Sequence, residues 1–222
     1  MAGRKLPKSL TEEQITALLE QVEGKSSTAL RNRAVLVLMA DGGLRLDEAL
    51  SLETGDLRRQ KGEVASLHLT HTKGGWERVV YLTGRGRDTL ARWVERREAR
   101  GLEGKLVFTT LSEGKRRFPQ RGKEGFVAGP TQEKQITPGR KVSARYVRDL
   151  VKRLAQKAGL PDWVHPHSLR HTAAQRLFNS TGNIELVRKF LGHRAVTTTQ
   201  IYAEADDPQV QAAVEALSLI HI

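Results

Sequence analysis

Two short segments stand out for side chains able to move a proton or hold a charge: HPHSLRHTAAQRL at 165–177 and LGHRAVTTTQIYAEA at 191–205. They offer imidazoles, which exchange protons or bind metals near neutral pH. They also offer a guanidinium fork suited to phosphate or carboxylate and a phenol able to act as a nucleophile. Singly, each has an ordinary reading. His167 and His171 stand four residues apart on one helical face, as a pair of zinc ligands would. However, Ser168 rather than a glutamate follows His167, so the zinc-protease motif is broken and no metal is expected. Arg170 alone reads as a helix-surface arginine, and Tyr202 alone as a core tyrosine.

The combination is more telling. Asp41-Gly42-Gly43-Leu44-Arg45 is followed by Glu48, then by Lys73 at a Lys73-Gly74-Gly75 hairpin tip. Next come His167-x-x-Arg170, Leu191-Gly192-His193, and Tyr202 nine residues after His193. In this order and spacing, over about residues 6–215, the chain resembles the catalytic domain of the tyrosine recombinases, the phage-integrase type of DNA strand-exchange enzyme.

That resemblance implies a set of roles. Tyr202 stands where the family keeps its nucleophile, whose attack on DNA leaves a 3′-phosphotyrosyl bond and a free 5′ hydroxyl. Arg45 and Arg170 match two arginines that hold the non-bridging oxygens, and His193 matches a further donor to the same phosphate. Lys73 matches the general acid for the departing 5′ oxygen, and His167 the acceptor of the tyrosine proton. Glu48 matches a supporting acid one helical turn from Arg45. A covalent intermediate conserves the bond energy, so neither ATP nor any cofactor is expected, and no GxxxxGK[ST] loop is present. His165 and His171 match no catalytic position, and His171 reads as a packing or backbone partner.

The elements that must carry these residues follow from pattern. Residues 11–22 predict a helix with a Thr11/Gln14 capping box, and Thr28 to Ala40 a buried helix ended by the Asp41-Gly42-Gly43 turn. A short helix is expected from about Arg45 to Leu52, strands at 64–69 and 76–82, a helix at 88–100, and a third strand at 106–109. Residues 112–140, rich in Gly, Pro, Lys and Arg, predict a long basic loop with an irregular hairpin. A helix at 143–158 follows, then helical pieces from 168 to 219 broken at Gly182, Gly192 and Pro208. The fold class is α+β and mostly α, with a small antiparallel sheet, as the resemblance also implies.

Charge points to the partner. The 222 residues carry a formal +12, and the stretch from Lys115 to Lys157 holds thirteen Lys/Arg against three acids. Such a stretch suits a polyanion, because each phosphate neutralised releases a condensed counterion. Few aromatics are interleaved, which favours double-stranded DNA over single strands. The candidate contacts are Lys115, Arg116, Arg117, Arg121, Lys123, Arg140, Lys141 and Arg145. The absence of cysteine excludes disulfides, thiol nucleophiles and thiolate metal sites. The longest apolar run, the seven residues from Ala34 to Ala40, is far below the ~20 of a membrane helix. With no signal peptide at MAGRKLPKSL, a cytoplasmic protein is expected, in a prokaryote or phage and associated with its nucleoid.

Residues 1–222 are expected to form a single catalytic domain, with 1–10 a linker-like start and 207–222 a C-terminal helix and tail. Most members of the family carry a preceding helical domain, whereas LPKSLTEEQ resembles the start of the catalytic domain itself. Two explanations stay open on sequence: a piece of a longer protein, or a short relative such as those that invert DNA. The resemblance also implies a homotetramer on DNA, coupled through the helix with Val210, Val214 and Leu217 on one face. The rival readings are a type IB topoisomerase-like activity and a non-catalytic DNA-binding regulator of the same fold.

Overall fold

The computed structural model describes residues 8–70, 77–111, 114–118, 121–122, 125–126, 132–136, 138–192 and 208–219. In chain order come α1 (Glu12–Glu20), α2 (Ser27–Ala40), α3 (Leu46–Ser51), a 3-10 turn at Thr54–Asp56, β1 (Leu57–Gln60), β2 (Glu63–Leu69), β3 (Arg78–Tyr81) and α4 (Gly84–Ala99). They are followed by β4 (Gly114–Phe118), β5 (Arg121–Gly122), β6 (Gly125–Phe126), β7 (Gln132–Ile136), α5 (Ala144–Lys157), α6 (Pro166–Thr181), α7 (Ile184–Leu191) and α8 (Pro208–Leu219). The fold is α+β and mostly helical.

Thr11 and Gln14 close the capping box that starts α1. Beyond it, α2 is apolar on every face of its second half, and such a helix belongs at the centre of a core. Every residue from Ala34 to Ala40 is buried, and α4 and α6 pack against this helix. Its one deeply buried cation, Arg31, donates to the Thr109 carbonyl and to the Asn32 side chain, with its guanidinium over the Tyr146 ring. Trp93 of α4 completes this side of the core, stacking on Phe108 and donating to the Val107 carbonyl.

β1, β2 and β3 form an antiparallel sheet in that order. The sequence pattern does not announce β1. Lys61 and Gly62, both at positive φ, turn the chain tightly from β1 into β2. Arg58, Arg59 and Gln60 are exposed on this edge strand, so no alternation of apolar residues marks it; charge there also discourages pairing with other chains. The strand expected at 106–109 is not one. That run makes only isolated bridges, Glu53 with Leu106 and Thr109 with Lys141, and is apolar because Val107 and Phe108 fill the core. Within 112–140 the described residues are more regular than a loop: β4 pairs with β7, and β5 with β6, both antiparallel.

Three helices begin or end differently from the pattern. α4 starts at Gly84 rather than 88, because the Thr83 hydroxyl caps the Gly86 N–H. α6 starts at Pro166 rather than 168, because His165 caps it and proline suits the first helical position. α8 lies on its own chain, against α6 and α7, with Val214 and Leu217 buried among Leu177, Leu186 and Phe190. Among the described residues, no helix is long and apolar enough to cross a membrane.

Candidate active site

The Asp41-Gly42-Gly43-Leu44-Arg45 turn ties the main helices together. The buried Asp41 carboxylate accepts from Arg85 Nε (2.8 Å), the Thr83 hydroxyl (3.0 Å) and Arg176 Nη1 (3.0 Å). Burial alone would raise its pKa; Arg85 ahead of Arg176 and Thr83 holds it below the usual carboxylate range. The end of α2, the start of α4 and the second half of α6 therefore meet at one anion. Gly43 follows at φ +62°, where a Cβ would stand 2.6 Å from Phe190 Cε1. Only glycine meets both demands, and its carbonyl is left facing α6.

Arg45 opens α3 with extended backbone, and Glu48 three residues on accepts from its N–H (2.8 Å) and its Nη1 (2.8 Å). Arg78 of β3 grips the same carboxylate with both ends of its fork, Nη1 to Oε1 at 3.0 Å and Nη2 to Oε2 at 2.8 Å. Arg170 Nη1 stands 3.6 Å from Glu48 Oε2, in ion-pair range. The Glu48 side chain is only 4% exposed. Burial would raise its pKa, but Arg78 first and Arg45 second hold it down to about 2.

α6 carries the other half. The His165 ring Nδ1 accepts from the His167 and Ser168 N–H groups, which explains a histidine that matches no catalytic position. One turn on, Arg170 is almost fully buried and donates to the carbonyls of Gly43 and, at 2.7 Å, Leu191. Burial, reinforced by the charges of Arg45 and Arg78 and opposed by Glu48, pushes its pKa down to about 9. It stays charged at neutral pH. The His167 ring meets His171 edge-on at 4.4 Å, so His171 is a packing partner. Burial lowers the pKa of His167, as do the charges of His171, Arg170, His165 and Arg45, leaving a neutral imidazole at pH 7.

Arg45, Asp47, His167 and Arg170 line an open depression of about 290 Å³. Two guanidinium groups, Arg45 and Arg170, thus reach the depression beside the His167 imidazole and the Asp47 carboxylate, while Arg78 stays behind them on the buried Glu48. This arrangement draws a tetrahedral oxyanion such as a phosphodiester and leaves a proton acceptor beside it.

The sequence matches the model of the phage integrase family over residues 8–209. The chain belongs to the phage integrase family. It is 35% identical over 204 residues to tyrosine recombinase XerD of Mycobacterium leprae, covering 90% of this chain and 57% of that protein. With tyrosine recombinase XerC of Proteus mirabilis it shares 31% over 205 residues, 92% of this chain and 57% of that one. The chain thus spans little more than half the length of the curated relatives it matches. Among solved structures, XerH site-specific recombinase bound to its palindromic difH substrate superposes with a TM-score of 0.64 at 25% identity, covering 87% of this chain and 48% of that one. XerA recombinase superposes with a TM-score of 0.62 at 22% identity, covering 98% and 66%, a likeness of fold alone.

Of the positions this phage integrase chain was expected to use, Arg45, Glu48, His167 and Arg170 come together in the structure. Lys73, His193, Tyr202 and Lys123 lie outside the described residues. Lys115, Arg116 and Arg117 fall on β4 and Arg121 on β5. Arg140, Lys141 and Arg145 are exposed near the start of α5; Lys141 donates to the Ser51 hydroxyl and Arg145 pairs with Asp149 at 3.8 Å. Arg78 is the site residue that motif and spacing do not single out. The available signal was an arginine opening a strand whose next residues, Val79 and Val80, are apolar.

Proposed function

We propose that this chain is the strand-cutting domain of a site-specific DNA recombinase, residues 1–222 forming one catalytic unit. The observation that carries the proposal is the convergence of Arg45, Arg170 and His167 on one depression, with both arginines in ion-pair range of the buried Glu48, in a member of the phage integrase family. Arg45 and Arg170 would hold the non-bridging oxygens of the scissile phosphate, with His193 as a further donor. His167, neutral at pH 7, would take the proton of Tyr202 as its oxygen attacks phosphorus. The P–O5′ bond breaks, and Lys73 would supply the proton to the departing 5′ oxygen. The 3′-phosphotyrosyl bond then stores the energy for rejoining, so the cycle needs no ATP.

The basic stretch from β4 to α5 would lie along the duplex, its charge supplying affinity without reading bases. The proposed assembly is a homotetramer on cytoplasmic DNA. α8, whose Val214 and Leu217 are buried here against α6 and α7 of its own chain, would have to leave that seat to couple neighbouring protomers. A covalent-trapping gel tests the reading. Mixed with nicked duplexes or supercoiled plasmid in EDTA and then denatured, the chain should carry DNA in a protease-sensitive adduct that Tyr202→Phe abolishes. An adduct that persists in the variant, or none in the wild-type chain, refutes it.

A further inference from the structure

Arg78 lies outside every role assigned above, yet it braces several elements of the site at once. It enters from β3, the strand that follows residues 71–76, and its side chain is 10% exposed. Its two terminal nitrogens engage both oxygens of Glu48. Its Nε is buried and has no hydrogen-bond partner among the described residues, an arrangement that costs stability. Its stem lies against the turn that ends α7. Gly192, at φ +63°, is so close that a Cβ there would stand 2.7 Å from Arg78 Cδ. The residue after Gly192 is His193. A single side chain therefore holds α3, β3 and the end of α7 against one another.

We propose that Arg78 is a positioning residue of the phosphate clamp, holding Glu48 so that Arg45 and Arg170 keep their charge for the DNA phosphate. The inference rests on the recombinase reading. Among the described residues, Glu48 is the one carboxylate within ion-pair range of Arg45, Arg78 and Arg170, and a carboxylate competes with phosphate for the same donors. With both oxygens gripped by Arg78, Glu48 steadies Arg45 through its backbone N–H and one terminal nitrogen and leaves Arg170 at 3.6 Å, outside hydrogen-bond range. Without Arg78 the carboxylate would turn onto Arg45 and Arg170 and take the place meant for the phosphate.

The test uses the full chain and the rate of adduct formation at saturating DNA. Arg78→Met should slow that rate by about 100-fold while the DNA concentration for half-saturation moves less than about 3-fold, the split expected for a group that acts in the transition state. Arg78→Lys, which keeps the charge but cannot grip both oxygens, should lose about 10-fold and gives the reading if Arg78→Met does not fold. A substrate with an uncharged methylphosphonate at the scissile position needs less of the clamp, so on it the Arg78→Met defect should shrink at least 10-fold. A defect equal on both substrates, or a loss under about 3-fold on ordinary DNA, overturns the proposal. If the wild-type chain forms no adduct, the recombinase reading fails by itself and phosphate binding still decides Arg78. Inorganic phosphate should shift the Nε signals of Arg45 and Arg170 in the wild-type chain with at least 10-fold higher affinity than in Arg78→Met. Equal affinity overturns it.

Discussion

Arg170 of α6 donates a hydrogen bond to the backbone carbonyl of Gly43, 127 residues earlier in the chain. That bond joins the two halves of the site: the turn that presents Arg45 and the helix that presents His167. It also explains why the turn carries glycine. Gly43 must adopt positive φ to aim its carbonyl at α6 and must pass the Phe190 ring without a side chain.

Gly43→Ala is therefore expected to cost about 1–3 kcal/mol from the left-handed backbone alone, with the clash against Phe190 added. Denaturant unfolding measures the loss. The variant should also cut DNA more slowly than its remaining folded fraction accounts for, because the Arg170 anchor moves. Wild-type stability would contradict the account.

Glu48→Gln removes the carboxylate that three guanidinium groups share, and breaking such a buried ion pair typically costs about 3–5 kcal/mol. The pH dependence has a defined sign. The folded pKa, about 2, lies below the ordinary 4.5, so the Glu48 contribution is complete above pH 4.5 and is lost as pH falls toward 2. Acid-unfolding curves of Glu48→Gln should be flatter than wild type in that window.

His167 titrates below its ordinary 6.5, because of burial first and then the charges of His171, Arg170, His165 and Arg45. The folded chain thus binds fewer protons there than the unfolded chain, so stability rises with pH up to about 6.5 and then levels. The rate of adduct formation should fall on the acid side with an apparent pKa below 6.5. Removing the His167 imidazole should cost about 10²–10⁴-fold, the usual worth of a general base. An acid limb that survives unchanged in His167→Gln would assign the titration to another group.

Neutralising Arg140, Lys141 and Arg145 should weaken duplex binding alike for all sequences. It should also lower the slope of log K against log salt by about 0.9 for each DNA phosphate that is no longer neutralised. Titrations at several salt concentrations measure it. An unchanged slope would place the DNA elsewhere.

Part of this cluster could be read from residue order, because the order and spacing of its side chains resemble those of the tyrosine recombinases and the fold brings them together. Arg45, Glu48, His167 and Arg170 were legible for that reason, and the amphipathic helices with them, since periodicity records burial directly. Arg78 was not. An arginine opening a strand looks like a solvated edge residue until Glu48, thirty residues away, is seen beside it. β1 escaped because an exposed, charged edge strand has no apolar alternation, and 106–109 misled because a buried apolar run looks the same in a strand as in an irregular core segment.

The central claim is tested most directly by finding which tyrosine carries the DNA. The chain has three, and Tyr81 and Tyr146 already have packed positions, Tyr81 within the core and Tyr146 under Arg31. The adduct formed in EDTA on a pool of nicked duplexes with randomised centres would be trimmed with nuclease, digested with trypsin and sequenced by mass spectrometry. The account predicts one modified peptide, with a nucleotide joined through its 3′ phosphate to Tyr202. A nucleotide on Tyr81 or Tyr146, or a linkage through a 5′ phosphate, would contradict it.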